Sequence, residues 1–361
     1  MDIKNACISY FNGFNELFSN KSVAQERAIG LLKVISLATV IIPLVFGIAY
    51  GVEVLKGRVS STPAANGNSD KVSNVGHRSL RLKSSKNVKK MTAEAFIELL
   101  KSGSELPKKV RITGDLDLDG EDLPDLESLP IESLLVDGDL DLTQLDLTSL
   151  PNELIVKGSL SINACGSLTS LPKGLKVEKD FWISDSAIES LPENLYVGGD
   201  VNAWEGSLVS VSTGIHIRGD LDLRKNGQLN AFHGDITIGG KLNLGGCQML
   251  TQMGSKVKVG GDFCANGSGL ISLPEGFHVG GDLYLVGCTD FTTLPNSFFL
   301  GGDLSIRDCN QVTSLPDCVV QLGIREDGLF RKIIIAGTGI SRQDAELIES
   351  QVPEEVSVFY D

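Results

Sequence analysis

At 361 residues the chain is longer than an ordinary compact domain, a length that repeat proteins reach because each unit needs only its neighbours. Its net charge of −14 is unevenly spread: residues 1–90 hold 13 Lys/Arg and 5 Asp/Glu, a net of +8, which leaves −22 for residues 91–361. A domain that acidic repels phosphate backbones across a Debye length of roughly 8 Å, which excludes nucleic acid as a partner of the repeats.

Residues 1–33 carry Ile3, Cys7, Ile8, Phe11, Phe14, Leu17 and Phe18 at close to helical spacing. This predicts an amphipathic leader helix, able to lie on a membrane or to pack against the segment that follows. Residues 34–52 contain no formal charge and are flanked by Lys33 on one side and by Glu53, Lys56 and Arg58 on the other. At a rise of 1.5 Å per residue such a run just crosses a hydrocarbon core of ~30 Å, so a single transmembrane helix is expected over 34–55. Pro43 should kink it, and Gly47 and Gly51 form a GxxxG pair that permits helix–helix contact and hence a homodimer.

Residues 56–90 form a basic linker, rich in Ser and Asn and without an aromatic residue, whose apolar surface is too small to offset the cost of ordering. It serves either as a solvated spacer or as an electrostatic contact with anionic lipid headgroups. Positive charge close to the span is tied between its two sides. Only the cluster from Arg78 to Lys90 tips the C-terminal side towards a cytoplasm. A capping segment follows over 91–106, where Thr92 is an N-cap, Phe96, Leu99 and Leu100 form an apolar face, and Gly103 is a stop.

Over residues 107–341 one phrase recurs, seen most plainly in Val279-Gly-Gly-Asp-Leu-Tyr-Leu-Val-Gly-Cys288 and Leu300-Gly-Gly-Asp-Leu-Ser-Ile-Arg-Asp-Cys309. The first residue of each apolar-x-apolar strand after the Gly-Gly-Asp gives an anchor series: Leu116, Leu140, Leu160, Phe181, Val201, Leu221, Leu242, Phe263, Leu283 and Leu304. Apart from an opening step of 24, the spacings are 20 or 21. With a strand at Ile333–Ile335, this predicts a β-rich solenoid of about eleven coils, some 50 Å long at ~4.8 Å per strand. Five residues after the anchor stand Cys165, Asn226, Cys247, Cys288 and Cys309, small polar groups expected to bond the backbone of a neighbouring coil. Seven cysteines, an odd number of which four recur at one repeat position, do not make a disulfide frame and point to a reducing compartment.

The Gly-Gly-Asp corner admits two readings. Asp commonly bonds its own backbone in a turn while Gly supplies positive φ. A column of Asp139, Asp180, Asp200, Asp220, Asp262, Asp282 and Asp303 could also hold calcium, although Ser159 and Lys241 interrupt it. Turn chemistry is the stronger reading.

The alternation of a strand places its middle residue outward. The outward column contains Asp117, Asp141, Trp182, Asn202, Asp222, Asn243 and Tyr284, with Trp204 two residues along its coil. Aromatic residues among carboxylates suggest a protein-binding face; the plainer alternative is that the tryptophans shield neighbouring coils. Residues 342–361 are expected to close the solenoid with a short helix from Arg342 and a strand at Val356–Phe359.

The pattern apolar-x-apolar-x-x-Cys/Asn-x-x-Leu-x-x-Leu-Pro, with Leu150-Pro151, Leu171-Pro172, Leu191-Pro192, Leu273-Pro274, Leu294-Pro295 and Leu315-Pro316, resembles bacterial leucine-rich repeats that carry an LP signature. These include effectors of Gram-negative pathogens and membrane repeat proteins of intracellular bacteria such as the chlamydiae. The resemblance implies a leucine-rich-repeat-like solenoid with a short helical cap at each end, a membrane-anchored interaction module whose repeats face a bacterial or host cytoplasm. The Gly-Gly-Asp run departs from the usual effector repeat. About 20 residues after the last repeat strand leave no room for a ligase domain, and Cys288-Thr-Asp290, which matches such a ligase motif superficially, occupies the structural turn. With only four histidines and neither CxxC nor HExxH, the residues suggest no enzyme, cofactor or metal. A scaffold that self-associates through Gly47 and Gly51 and uses the repeats as a spacer is the alternative function.

Overall fold

The computed structural model describes residues 87–360 apart from 120, 122, 124–126, 324 and 326–327, all within the unit His77–Asp361. The leader, the expected transmembrane helix with Gly47 and Gly51, and nearly all of the linker lie outside the described residues. Among the described residues no helix is long and apolar enough to cross a membrane.

The chain winds as a parallel β-solenoid. Each interior coil contributes two strands, not the one strand expected, and they flank the Gly-Gly-Asp corner. In one such coil, Ile236–Ile238 precedes the corner and Leu242–Asn243 follows it. The strands before the corner stack into an upstream sheet of 11, and those after it into a downstream sheet of 12. Ten coils place a strand in both sheets. Lys89–Thr92 adds one more to the upstream sheet, and Arg331–Ile334 and Val356–Phe359 add two to the downstream sheet, for about 13 turns. The first strand thus begins at Lys89, inside the stretch read as linker, and pairs in register from Lys89–Val110 to Thr92–Thr113.

Alternation explains both strands. In the upstream phrase Ile215 and Ile217 point inward and are buried while His216 between them is exposed; in the downstream phrase Leu221 and Leu223 are buried about Asp222. The third side of the coil runs past the Leu-Pro region, where Ser190–Leu191, Ser210–Val211 and Ala231–Phe232 form a short three-stranded sheet. Leu191, Val211 and Phe232 turn inward from it and complete one core shared by all coils.

Both ends carry the expected helices. Helix α1, Ala93–Lys101, is capped by the Thr92 hydroxyl, which accepts the Ala95 N–H at 3.3 Å, and buries Phe96 and Leu100 against the first coil. A short helix, α2, spans Asp317–Val320. Helix α3, Arg342–Gln351, is capped by Ser341 through the Asp344 N–H at 3.1 Å and buries Ala345 and Ile348.

Candidate functional site

The corner that separates the two sheets holds an aspartate ladder. Asp115 accepts the backbone N–H of Asp139 at 2.8 Å, Asp139 that of Ser159 at 2.7 Å, Asp180 that of Asp200 at 2.9 Å, and Asp200 that of Asp220 at 2.8 Å. Asp220 takes the Lys241 N–H at 2.7 Å, and Asp262, Asp282 and Asp303 continue to Asp282, Asp303 and Lys332. Each carboxylate therefore bonds the next coil, not its own turn. Ser159 and Lys241 receive a bond as donors and pass none on through a carboxylate.

Apart from Gly114 in the first corner, at φ +88°, the glycines of the corner do not supply positive φ. A Cβ at Gly219, Gly240 or Gly302 would overlap the aspartate oxygen of the preceding coil, and one at Gly198, Gly260 or Gly280 would overlap a preceding carbonyl. Close approach of coil to coil is what requires glycine there. One left-handed position lies just before the upstream strand, at Gly174, Asn194, Gly214, Asp235, Lys256 and Gly276, and another four residues after the anchor, at Gln144, Ala164, Asp185, Glu205, Lys225, Gly246, Gly267, Gly287, Asp308 and Gly337.

One position further along, the small polar column behaves as expected. Cys165 Sγ donates to the Leu142 carbonyl at 3.1 Å, Cys247 to Leu223 at 3.2 Å, Cys288 to Ala265 at 3.0 Å and Cys309 to Leu285 at 2.9 Å. Asn226 does more, donating to Ala203 and Leu223 at 2.7 and 2.9 Å and accepting the Leu208 N–H at 3.1 Å. Burial pushes the Cys247 thiol up to about 12 and raises Cys165 as well. Cys309, bonded to the Cys288 sulfur, is also raised. That same bond lowers Cys288, but its sulfur is wholly buried against a carbonyl, a setting that favours a thiol over a thiolate.

The outward column of the downstream sheet is a continuous ladder. Asp117 pairs with Asp141, Asp141 with Ser161, Ser161 with Trp182, Trp182 with Asn202, Asn202 with Asp222, Asp222 with Asn243, Asn243 with Cys264, and Cys264 with Tyr284. Trp182 is 37% exposed and Asp117 is exposed, while the other predicted residues are half-buried.

Much of this polarity is engaged locally. Asp117, Asp141, Asp222 and Asn243 each accept the N–H two residues ahead, at 3.0, 2.9, 3.1 and 3.1 Å. Asp222 also pairs with Arg224 at 3.0 Å, and the same guanidinium lies 5.8 Å from the Trp204 ring centroid. Tyr284 donates to Asp282 at 2.7 Å, a bond that raises the phenol. The predicted residues thus fall into three groups on one face: Asp117 with Asp141 at the start, Trp182, Asn202, Asp222, Asn243 and Trp204 in the middle, and Tyr284 beyond them.

A second outward column lies on the upstream sheet and was not foreseen: Lys176, Tyr196, His216, Thr237, Lys258, His278 and Phe299 in ladder register. Tyr196 stacks on His216 at 5.7 Å, and His278 stacks on Phe299 at 4.5 Å. Its signal was the middle residue of the apolar-x-apolar phrase before each Gly-Gly. A cavity of about 230 Å³ lies apart from both columns, between Ile335, Thr338, Ile340, Ala345 and Tyr360. Among the described residues no three His, Cys, Asp or Glu side chains converge as a metal-binding set.

The class that fold and site define is a parallel β-solenoid with two ladder-ordered outer faces. Comparison with known proteins finds no matching family model and no matching curated protein.

Proposed function

We propose that the chain is a membrane-anchored, leucine-rich-repeat-like interaction module that captures a protein partner on the outward face of its downstream sheet. The observation that carries this reading is Trp182, an indole 37% exposed in the middle of an ordered polar ladder. Large aromatic side chains give the most binding energy per residue when a partner desolvates them. Its neighbours Asn202, Asp222 and Asn243 are fixed by their own turns and by Ser184 and Arg224, so little side-chain entropy remains to be lost on binding. The uncharged run 34–52 supports a membrane anchor, and the thiol-rich repeat supports a reducing cytoplasm, bacterial or, for an effector, host.

The test is a double substitution, Trp182→Ala with Trp204→Ala, followed by partner capture from cytoplasmic extract and thermal melting. Loss of the captured protein with melting unchanged supports the reading. Retention of the same protein by the double variant removes the site assignment.

A further inference from the structure

The two sheets end differently at the C-terminal end. The upstream sheet stops at Phe298–Leu300, and there the guanidinium of Arg331, itself 3% exposed, donates to Leu300 O at 3.1 Å and to Gly302 O. One coil earlier the same two carbonyl positions, Val279 and Gly281, are bonded by the backbone N–H groups of Gly301 and Gly302. Arg331 therefore replaces the Gly-Gly corner of a coil that is not built, and it closes that edge.

Among the described residues the downstream sheet has no such closure. Val356–Phe359 is its terminal strand and pairs with Arg331–Ile334 on one side only. Arg331 N donates to Glu355 O and Ile335 N to Phe359 O, which sets the phase of the pairing. In a parallel ladder alternate residues bond to alternate sides, so Val358 turns its N–H and C=O to the open side. Phe359 stands 48% exposed on the outer face, and Glu354 and Glu355 are exposed where the strand begins.

We propose that this edge is completed by residues Arg78–Lys83 of a second copy, added as a further parallel strand. Leu80-Arg81-Leu82 repeats the apolar-x-apolar phrase of the downstream strands. Aligned with the edge, Leu80 and Leu82 continue the inward positions of Val356 and Val358, Arg78 meets Glu354, and Lys83 falls beside the Phe359 ring. The copy's own segment cannot reach. Six residues from Lys83 to Lys89 span at most about 20 Å, whereas 13 turns stack to about 60 Å. The contact is head-to-tail and does not close on itself, so it generates a chain of copies.

The test uses the full chain in detergent, carrying Gly47→Leu and Gly51→Leu so that helix pairing does not contribute, and follows sedimentation against concentration. Val358→Pro removes an outward N–H and no ladder bond, as edge strands tolerate; Leu80→Asp with Leu82→Asp spoils the added strand. Expected are a concentration-dependent series for the parent, a single copy for each variant alone, and a species of two copies that grows no further when the variants are mixed. A parent that sediments as one copy at every concentration overturns the proposal, as does association of either variant alone to the parent's extent. A labelled peptide of residues 77–90 gives a second reading that leaves the edge strand intact. It should bind the Leu80→Asp, Leu82→Asp chain and lose that binding when Glu354→Lys and Glu355→Lys are added; equal binding with and without those charges also overturns it.

Discussion

The Asp200 carboxylate accepts the Asp220 N–H at 2.8 Å, and the same oxygen occupies the space that a Cβ on Gly219 would need. Donor, acceptor and glycine form one joint between successive coils. Asp200→Ala leaves one amide without its carboxylate at a partly wet corner and should cost about 1 kcal/mol. Gly219→Ala should cost more, about 3 kcal/mol, because its Cβ meets the Gly199 backbone as well as the carboxylate. Urea unfolding of the two variants gives the comparison, and the ranking reverses if glycine is there for backbone freedom alone.

Asn226 occupies the position held by cysteine in four other coils and makes three bonds where each thiol makes one to the preceding coil. Asn226→Ala should cost about 2 kcal/mol, since it strands the Ala203 carbonyl and the Leu208 amide in a fully buried place, while the Leu223 carbonyl keeps the Cys247 thiol. Asn226→Cys should recover part of that, because a thiol can still donate to the Ala203 carbonyl. Denaturant midpoints measured side by side separate the two.

Ala164 sits at φ +55° in the left-handed turn that every described coil repeats, and it is exposed. The β-carbon costs about 1 kcal/mol in that conformation. Ala164→Gly should therefore stabilise the chain by roughly that amount, less the entropy a glycine adds to the unfolded state. A melting temperature that rises by a degree or more is the expected reading, and a fall would show the turn is held by something other than backbone conformation.

The downstream strands were legible because apolar residues of varying type recur at a fixed period. The downstream anchors, the outward column and the cysteine position all follow from period and alternation, and the strands lie where that series placed them. The left-handed turn was hidden because glycine holds it in only some coils, at Gly246, Gly267, Gly287 and Gly337, while Gln144, Ala164, Asp185, Glu205, Lys225 and Asp308 hold it in the rest and share only the conformation. The upstream strand was visible as an apolar-x-apolar pair before the corner, as in Leu195-Tyr196-Val197, but beside a Gly-Gly-Asp run that departs from a familiar repeat it did not announce a second sheet. Arg331 could not be anticipated, because its role depends on carbonyls about 30 residues away.

Asp137 supplies a pH dependence of definite sign. Burial would raise its carboxyl, but the Arg111 fork at 2.7 and 3.1 Å and Lys157 at 2.8 Å outweigh that and hold it below the usual carboxylate range. A group lowered in the folded state binds its proton less readily there than in the unfolded chain. Its contribution is thus complete above the ordinary carboxylate value near 4 and is lost as pH falls below it. Asp137→Asn should be less stable than the parent at pH 7, with the gap narrowing towards pH 3. A gap that is constant over this range would place the carboxylate outside the acid response.

The carboxylate ladder makes most junctions between coils alike, so a whole turn is the natural unit of gain or loss. Deleting 20 or 21 residues from one corner to the next, between Asp200 and Asp282, would rejoin equivalent surfaces and leave both outer columns in phase. Deleting ten would set the phrase of one sheet against that of the other and break the register at that junction. Descendants of such a chain are free to drift in length by whole turns, while the end marked by Arg331 stays fixed, much as a zip can be lengthened anywhere except at its stop.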